Sequence, residues 1–263
     1  MAVNERRLSV TEFDFDDVKD NLKVFLKNQS EFKDYDFEGS GMNIMLDILA
    51  YNTHYLGFNA NMLANEMFLD SASLRSSVVS HAKTLGYEIQ SARAPIATVN
   101  VVLTTTSASK TMSAGTAFST TVNDVSYQFV TIADITASGA GGTVTFNNAR
   151  IYEGTYITTK YLADTSDAEQ RFILPDSRAD TSTLTVKVQN SASDTTSTTY
   201  TKATDISQIS STSSVYYLQE VEGGKHEVYF GDGNVSKGLS DGNIVILKYV
   251  VTNKTAANGA SSF

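Results

Sequence analysis

The chain has 263 residues, of which 41% are hydrophobic and 19% charged, and its formal net charge is −9. This balance is typical of a folded protein, and the acidic excess argues against binding to nucleic acid or to an anionic membrane surface, which requires clustered Lys and Arg. Because the chain contains no cysteine, disulfide frameworks, thiolate metal sites and cysteine nucleophiles are excluded.

The first predicted helix begins in an acidic stretch. Asp14, Asp16 and Asp17 suit a helix N-terminus, because carboxylates interact favourably with the positive end of the helix dipole. Apolar residues then recur at helical spacing as far as Leu26, so the helix should end near Asn28. The opening of the chain lacks the apolar stretch of a secretion signal, and no run has the length of a membrane span, so we expect no membrane partner.

The longest apolar pattern predicts a central helix from about Met42 to Met67, with Ser40 as its N-cap and Gly57 as a weak point. One row of side chains recurs at steps of four and three, the spacing of a single helical face: Ile44, Ile48, Tyr51, Tyr55, Phe58 and Met62. A second row lies beside it: Met45, Leu49, Leu56 and Leu63. Together the rows are wider than the stripe of roughly 100° that covers one core. We therefore expect another subunit to cover part of this face; the alternative is that the face forms the core of this chain alone.

A third, shorter helix should follow, capped by Asp70 or Ser71 and ending where Gly86 supplies a left-handed residue. Pro95 then marks a boundary, because the hydrophobic period changes from 3.6 to two after it. The prediction is a helical region over 1–94 and a β-rich domain over 95–263.

Nine runs in the β-rich domain have the length and composition of strands: TVNVVLT, SYQFVTI, TVTFNN, TYITTKYL, QRFIL, STLTVKVQ, VYYLQEV, HEVYFG and NIVILKYVVT. The segments between them are predicted turns: SASK, SGAGG, NSASDTTST and FGDGN. The fold class is therefore α+β, with an N-terminal helical region around one long central helix and a mostly antiparallel β domain after it.

No catalytic, metal or cofactor site is predicted. The histidines, His54, His81 and His226, lack the HExxH spacing of a zinc site and are interpreted as packing or interface residues. A calcium loop starting at Asp232 is rejected, because Lys237 stands where the loop needs glycine and Asn243 where it needs glutamate. The pair Asp232-Gly233 is read instead as a tight turn.

Carboxylates cluster in polar loops and helix starts, where they should stay solvated, so acid–base catalysis is not favoured and the chain is predicted not to be an enzyme. Asp47 is the exception, since it stands among apolar residues of the central helix. We expect Asp47 either to face solvent or to pair with a Lys or Arg across an interface.

The run from FDFDDVKDNL through LDSASLRSSVVSHAKTLGYEIQSARAP closely resembles the N-terminal region of the baseplate wedge proteins of T4-like contractile-tailed phages, within the wider baseplate J-like family. The late segment, residues 226–263, is more loosely similar to that family's Gly-Asp turn and following strand. Its turn motif is Phe230, Gly231, Asp232 and Gly233. The Thr/Ser-rich middle of the chain shows no such resemblance.

The resemblance implies a structural subunit of the tail baseplate wedge, located in the virion and assembled in the host cytoplasm. Such a subunit would join wedge subunits through a helical bundle and help to assemble the ring around the tail hub. The implied partners are a second copy of the chain, other baseplate wedge subunits, a sheath-initiating subunit and neighbouring wedges.

The candidate interface residues lie on or just after the central helix: Ile44, Asp47, Ile48, Tyr51, Tyr55, Phe58, Met62 and Met67. T4-like members are longer, so we expect either a shorter relative or an N-terminal portion. The Ser/Thr-rich β region leaves a different class open, a tail-fibre or receptor-binding β module.

Overall fold

A computed structural model describes residues 14–28, 38–167 and 169–263, except for the side chain of residue 206. The chain divides into two compact units, residues 1–88 and 89–263, which we call the helical unit and the β unit. Helices make up the regular structure of the first, and the sheets lie in the second, so the predicted α+β class is confirmed. The predicted domain boundary at residue 94 stays a prediction. The division into two units after residue 88 reflects contacts between residues and does not test whether either part folds by itself.

The helical unit contains α1 (Phe15–Lys27), α2 (Gly41–Glu66) and α3 (Arg75–Thr84). Ser40 caps α2 as predicted, because its Oγ accepts the Asn43 N–H at 3.1 Å. α2 runs without interruption through Gly57, which is buried, and the weakness expected from the low helix propensity of glycine stays a prediction.

The predicted N-cap of α3 is wrong. This helix begins after Leu74, and neither Asp70 nor Ser71 caps it. The carboxylate of Glu66, at the end of α2, takes that role. One Glu66 oxygen accepts the N–H of Ser73 at 2.9 Å and that of Leu74 at 3.2 Å. Hydrogen bonds from the Ser77 hydroxyl and from Ser73 lower the pKa of Glu66 to about 2. The charged carboxylate thus joins two consecutive helices.

Six strands of the β unit form a first sheet: β1 (Ile96–Thr104), β2 (Ser109–Met112), β3 (Ala117–Val122), β4 (Val125–Val130), β5 (Ile135–Ala140) and β6 (Thr143–Glu153). Their order is β2-β5-β6-β4-β3, and β1 pairs with β6. All of these pairings are antiparallel.

Seven strands form a second sheet: β7 (Thr155–Leu162), β8 (Phe172–Leu174), β9 (Ala179–Gln189), β10 (Ser197–Lys202), β11 (Val215–Glu220), β12 (His226–Tyr229) and β13 (Ile244–Val251). Their order is β7-β13-β9-β10-β11-β12-β8. Only the β10–β11 pairing is parallel among the described strands. The centre of this sheet is fully buried, with Val186, Leu247 and Tyr249 at its core.

Four strands occupy segments that were not predicted as strands: β2, β3, β5 and β10. Parts of the predicted turns SASK, SGAGG and NSASDTTST belong to β2, β5 and β10. Ser, Thr, Gly and Ala dominate these segments, and this composition favours turns when it is considered locally. Backbone pairing determines their structure instead: β3, β5 and β10 each pair with a strand next to them in the sequence, and β2 pairs with β5.

The expectation that carboxylates stay solvated is wrong for four acidic residues of the β unit: Glu153, Asp180, Glu220 and Glu227. The carboxylates of Glu153, Asp180 and Glu227 accept hydrogen bonds, which offset the free-energy cost of burying a charged group. Asp180 accepts the Ala94 N–H at 2.8 Å, and Glu227 accepts two bonds from the Arg171 guanidinium, at 3.0 and 2.8 Å.

Glu153 lies where the first sheet ends and the second begins. Its carboxylate accepts the Thr252 hydroxyl at 2.7 Å, and the backbone N–H and side-chain amide of Asn253 at 2.9 and 2.8 Å. These partners directly follow β13 of the second sheet. One buried carboxylate therefore connects the two sheets.

Candidate protein–protein interface

One side of α2 packs within its own chain. The buried residues of this helix are spaced along one face: Asn43, Leu46, Ala50 and Gly57. The neighbouring helix α1 packs against α2. This side is distinct from both apolar rows that the sequence analysis identified.

Both rows lie on the outside of the unit. Their side chains are between 42% and 69% exposed. Within the first row, which we call the aromatic row, the rings of Tyr51 and Tyr55 stack with centroids 6.3 Å apart. A broad exposed apolar surface of this kind is typical of a protein–protein contact.

The helical unit buries few apolar side chains of its own. Among its described residues they are Val18, Leu46, Ala50 and Ala82. Two of these are alanines, so the buried apolar area is small compared with the exposed rows of α2.

Asp47 forms an ion pair with the Lys19 ammonium of α1, and its side chain remains 40% exposed. Its expected pairing across an interface with another subunit stays a prediction. A hydrogen bond to Asp47 raises the pKa of Lys19. The pair joins α1 to α2 at a partly exposed position, where an ion pair contributes little stability.

The apolar surface continues past the end of α2. Met67 follows the last helical residue and is exposed, as are the next two residues, Phe68 and Leu69. Of these three residues, only Met67 was predicted as an interface residue. Phe68 and Leu69 could have been predicted as well, because they continue a run of three large apolar residues that begins at Met67.

Two of the histidines, His81 and His226, pack within the protein. His81 on α3 forms a 2.8 Å hydrogen bond with the backbone carbonyl of Glu66, and His226 is buried at the start of β12. Within the described ranges, no group of three or more His, Asp or Glu side chains is arranged to hold a metal ion. In the same part of the chain, no helix is long and apolar enough to span a membrane.

The Gly-Asp motif forms a compact turn between β12 and β13. The Phe230 ring packs edge-on against Phe172, with centroids 5.6 Å apart. A side chain at Gly231 would collide with the backbone of Ser236, so this position requires glycine. The Asp232 carboxylate accepts the Asn234 N–H at 2.9 Å, and hydrogen bonds from Asn234 lower the pKa of Asp232 to about 2.

Comparison with known proteins identifies relatives of both units. Residues 14–87 match the family model described as baseplate wedge protein gp6-like, helical domain. Residues 156–259 match the model described as bacteriophage baseplate wedge protein gp6, third domain. The chain belongs to the gp6-like baseplate wedge proteins. The family predicted from the N-terminal run is therefore confirmed.

Among curated proteins, the chain is 32% identical over 271 aligned residues to baseplate wedge protein gp6 of Enterobacteria phage T4. The alignment covers 95% of this chain and 40% of that relative. The gp6-like chain thus spans about 40% of the length of the curated relative. The segment between the two family-model matches, residues 88–155, contains the whole first sheet.

Proposed function

We propose that this gp6-like chain joins wedge subunits through a helical bundle built around α2 and helps to assemble the baseplate ring around the tail hub. The observation that carries this proposal is the pair of exposed apolar rows on α2. The proposed partners are a second copy of the chain, other wedge subunits, the sheath-initiating subunit and neighbouring wedges. The role is mechanical, and we propose no catalysis, cofactor or nucleic-acid partner.

The energetics favour a bundle over an isolated helix pair. Burying one large apolar side chain contributes roughly 1.5–3 kcal/mol, so a row of six provides on the order of ten kcal/mol before the cost of association. The inward side of α2 uses small residues such as Ala50 and Gly57, which contribute little. Helices of other chains packed on the rows would supply the missing burial.

Replacing both Tyr51 and Tyr55 by Asp should abolish co-purification with wedge subunits expressed in the same cells. Both tyrosines are exposed in the chain, so its own fold should persist. Two carboxylates buried in an apolar contact would cost several kcal/mol, which is sufficient to dissociate most complexes. Pull-down from co-expressing cells measures the effect, and circular dichroism checks that the β unit remains folded.

The matched control is Tyr229→Asp, because Tyr229 is 42% exposed but lies on β12 of the β unit. This variant should retain its wedge partners. Recovery of an unchanged complex with the Tyr51→Asp, Tyr55→Asp chain would refute the assignment of α2 as the joining element.

A further inference from the structure

The first sheet has a long free edge along β1. Among the described strands β1 pairs only with β6, and its nine residues include no charged residue and no proline. The other strands that end a sheet are shorter or charged: β2, β3 and β8 have four, six and three residues, and β7 carries Lys160. Natural sheets commonly protect their edges with short strands, Lys or Pro, because an unprotected edge accepts a strand of another chain. β1 has none of these three features.

Alternate backbone groups of β1 point away from β6. One hydrogen bond at each end of the pairing fixes the alternation: the Glu153 N–H donates to the Pro95 carbonyl and the Thr105 N–H to the Gly142 carbonyl, both at 2.9 Å. The N–H and C=O groups directed at the free edge are therefore those of Ile96, Thr98, Asn100, Val102 and Thr104. Within the described part of the chain these groups have no hydrogen-bond partner. An extended backbone is the partner that satisfies such a row.

The core beneath β1 is open at the same edge. The β6 residues opposite the core-facing side of β1 are at most 4% exposed: Val144, Phe146, Ala149 and Ile151. Their β1 partners are less buried, since Ala97, Val99 and Val101 are half-buried and Leu103 is 42% exposed. An added strand with apolar residues on this side would cover them, and burial of that apolar area favours binding.

The exposed face next to β1 carries a cation. Arg150 of β6 stands directly opposite Thr98 and is exposed, and among the described residues its guanidinium has no ion pair or hydrogen bond. A strand added to β1 would place the residue opposite Thr98 about 10 Å from Arg150, because neighbouring strands lie about 4.8 Å apart. The long side chains of Arg and Glu together span this distance across the short threonine. β1 itself has no carboxylate, so a second copy of β1 would leave the cation without a partner.

We infer that β1 is a docking edge for an extended segment of a different protein chain, with apolar side chains on its core-facing side and an acidic residue opposite Thr98. The segment adds a strand to the first sheet and completes the core at that edge. This contact is separate from α2. It rests on the proposed function only in taking other wedge subunits as the source of the segment.

Hydrogen exchange of single backbone amides tests the docking edge, read by mass spectrometry on the isolated full chain and on the wedge assembled from co-expressed subunits. The outward amides of Thr98, Asn100 and Val102 should exchange at least about tenfold more slowly in the wedge, because each gains a hydrogen bond. The amides of Ala97 and Leu103 point to β6 and are the internal reference, slow in both samples. Fast exchange of the outward amides in the wedge would overturn the inference. Protection that appears in the isolated chain as its concentration rises would assign the edge to a second copy and overturn it as well.

Two pairs of variants separate the backbone from the side chains. Val102→Pro removes an outward N–H without breaking a bond to β6, so the chain should keep its thermal stability while the Thr98 and Asn100 amides lose about fivefold or more of their protection in the wedge. Val102→Ala is the matched control, because it removes the same side chain but keeps the N–H, and it should retain the protection. Arg150→Glu should reduce the protection, whereas Arg150→Lys, which keeps the charge, should not.

Unchanged protection in both Val102→Pro and Arg150→Glu would overturn the inference, as would equal losses in Val102→Pro and Val102→Ala. A chain that captures wedge subunits but leaves the outward amides of β1 unprotected overturns this inference alone. A chain that captures none of them overturns the proposed function together with it.

Discussion

Replacing Glu153 by Ala should lower the free energy of unfolding of the β unit by roughly 3 kcal/mol. Glu153 is 0% exposed and accepts three hydrogen bonds from Thr252 and Asn253. Without the carboxylate, these donors remain beside a cavity and lose their partners. Urea denaturation followed by circular dichroism measures the change in the unfolding midpoint.

The matched control for this substitution is Glu222→Ala, which removes an exposed carboxylate of the same unit. Its effect should stay within about 0.5 kcal/mol, as expected at a surface position. Equal stability of the Glu153→Ala and Glu222→Ala chains would show that the buried carboxylate does not hold the two sheets together.

Replacing Gly154 by Ala should destabilise the β unit by roughly 3 kcal/mol or more. Gly154 joins the two sheets with φ of +123°, and a Cβ atom there would collide with the backbone of Val251 and approach Val250 Cγ1 to 2.9 Å. The substitution thus combines backbone strain with a collision that a rigid strand cannot relieve. Thermal unfolding of the purified chain provides the measurement.

Gly141→Ala separates these two contributions, because Gly141 also has a positive φ, +64°, but a Cβ atom added there would meet no other atom within 4 Å. Its cost should be about 1 kcal/mol, the usual penalty of the left-handed conformation. If Gly154→Ala cost no more than Gly141→Ala, the close approach of the two sheets at this point would be disproved.

Long periodic elements could be predicted from the sequence nearly to their ends. The position of α2 follows from its apolar period, and its start follows from Ser40, which acts on a backbone group only three residues away. The start of α3 could not be predicted in this way, because its cap is Glu66, which belongs to the preceding helix. Local sequence signals identify only local partners.

The β unit shows the same limit over longer distances. The strands rich in Val, Ile and Tyr, such as β7 and β13, were predicted, whereas β2, β5 and β10, which contain many Ser, Thr, Ala and Gly residues, were not. Glu153 was expected to be solvated because its partners, Thr252 and Asn253, lie about one hundred residues later in the chain. Partners so far away leave no trace in the residues immediately around Glu153.

The candidate site could be predicted in part. The two exposed rows on α2 can be predicted from residue spacing alone. The buried side of the helix cannot, because Asn43 and Gly57 are not typical core residues. The partner of Asp47, Lys19, depends on how α1 packs against α2 and could not be inferred from either helix by itself.

The two units therefore differ in what stabilises them. The β unit has a buried core and hydrogen-bonded internal carboxylates. Among its described residues, the helical unit has few buried apolar side chains and two exposed apolar rows on α2. Under the proposed function, this surface both stabilises the helical unit and contacts other chains.

Hydroxyl-radical footprinting, read by mass spectrometry on the isolated chain and on the assembled wedge, tests most directly whether other chains cover α2. Met112 of the first sheet, only 7% exposed, is the internal reference and should react slowly in both samples. Tyr51, Tyr55 and Met62 should be labelled in the isolated chain and lose most of that labelling in the wedge. Equal labelling of these three side chains in both samples would contradict the account.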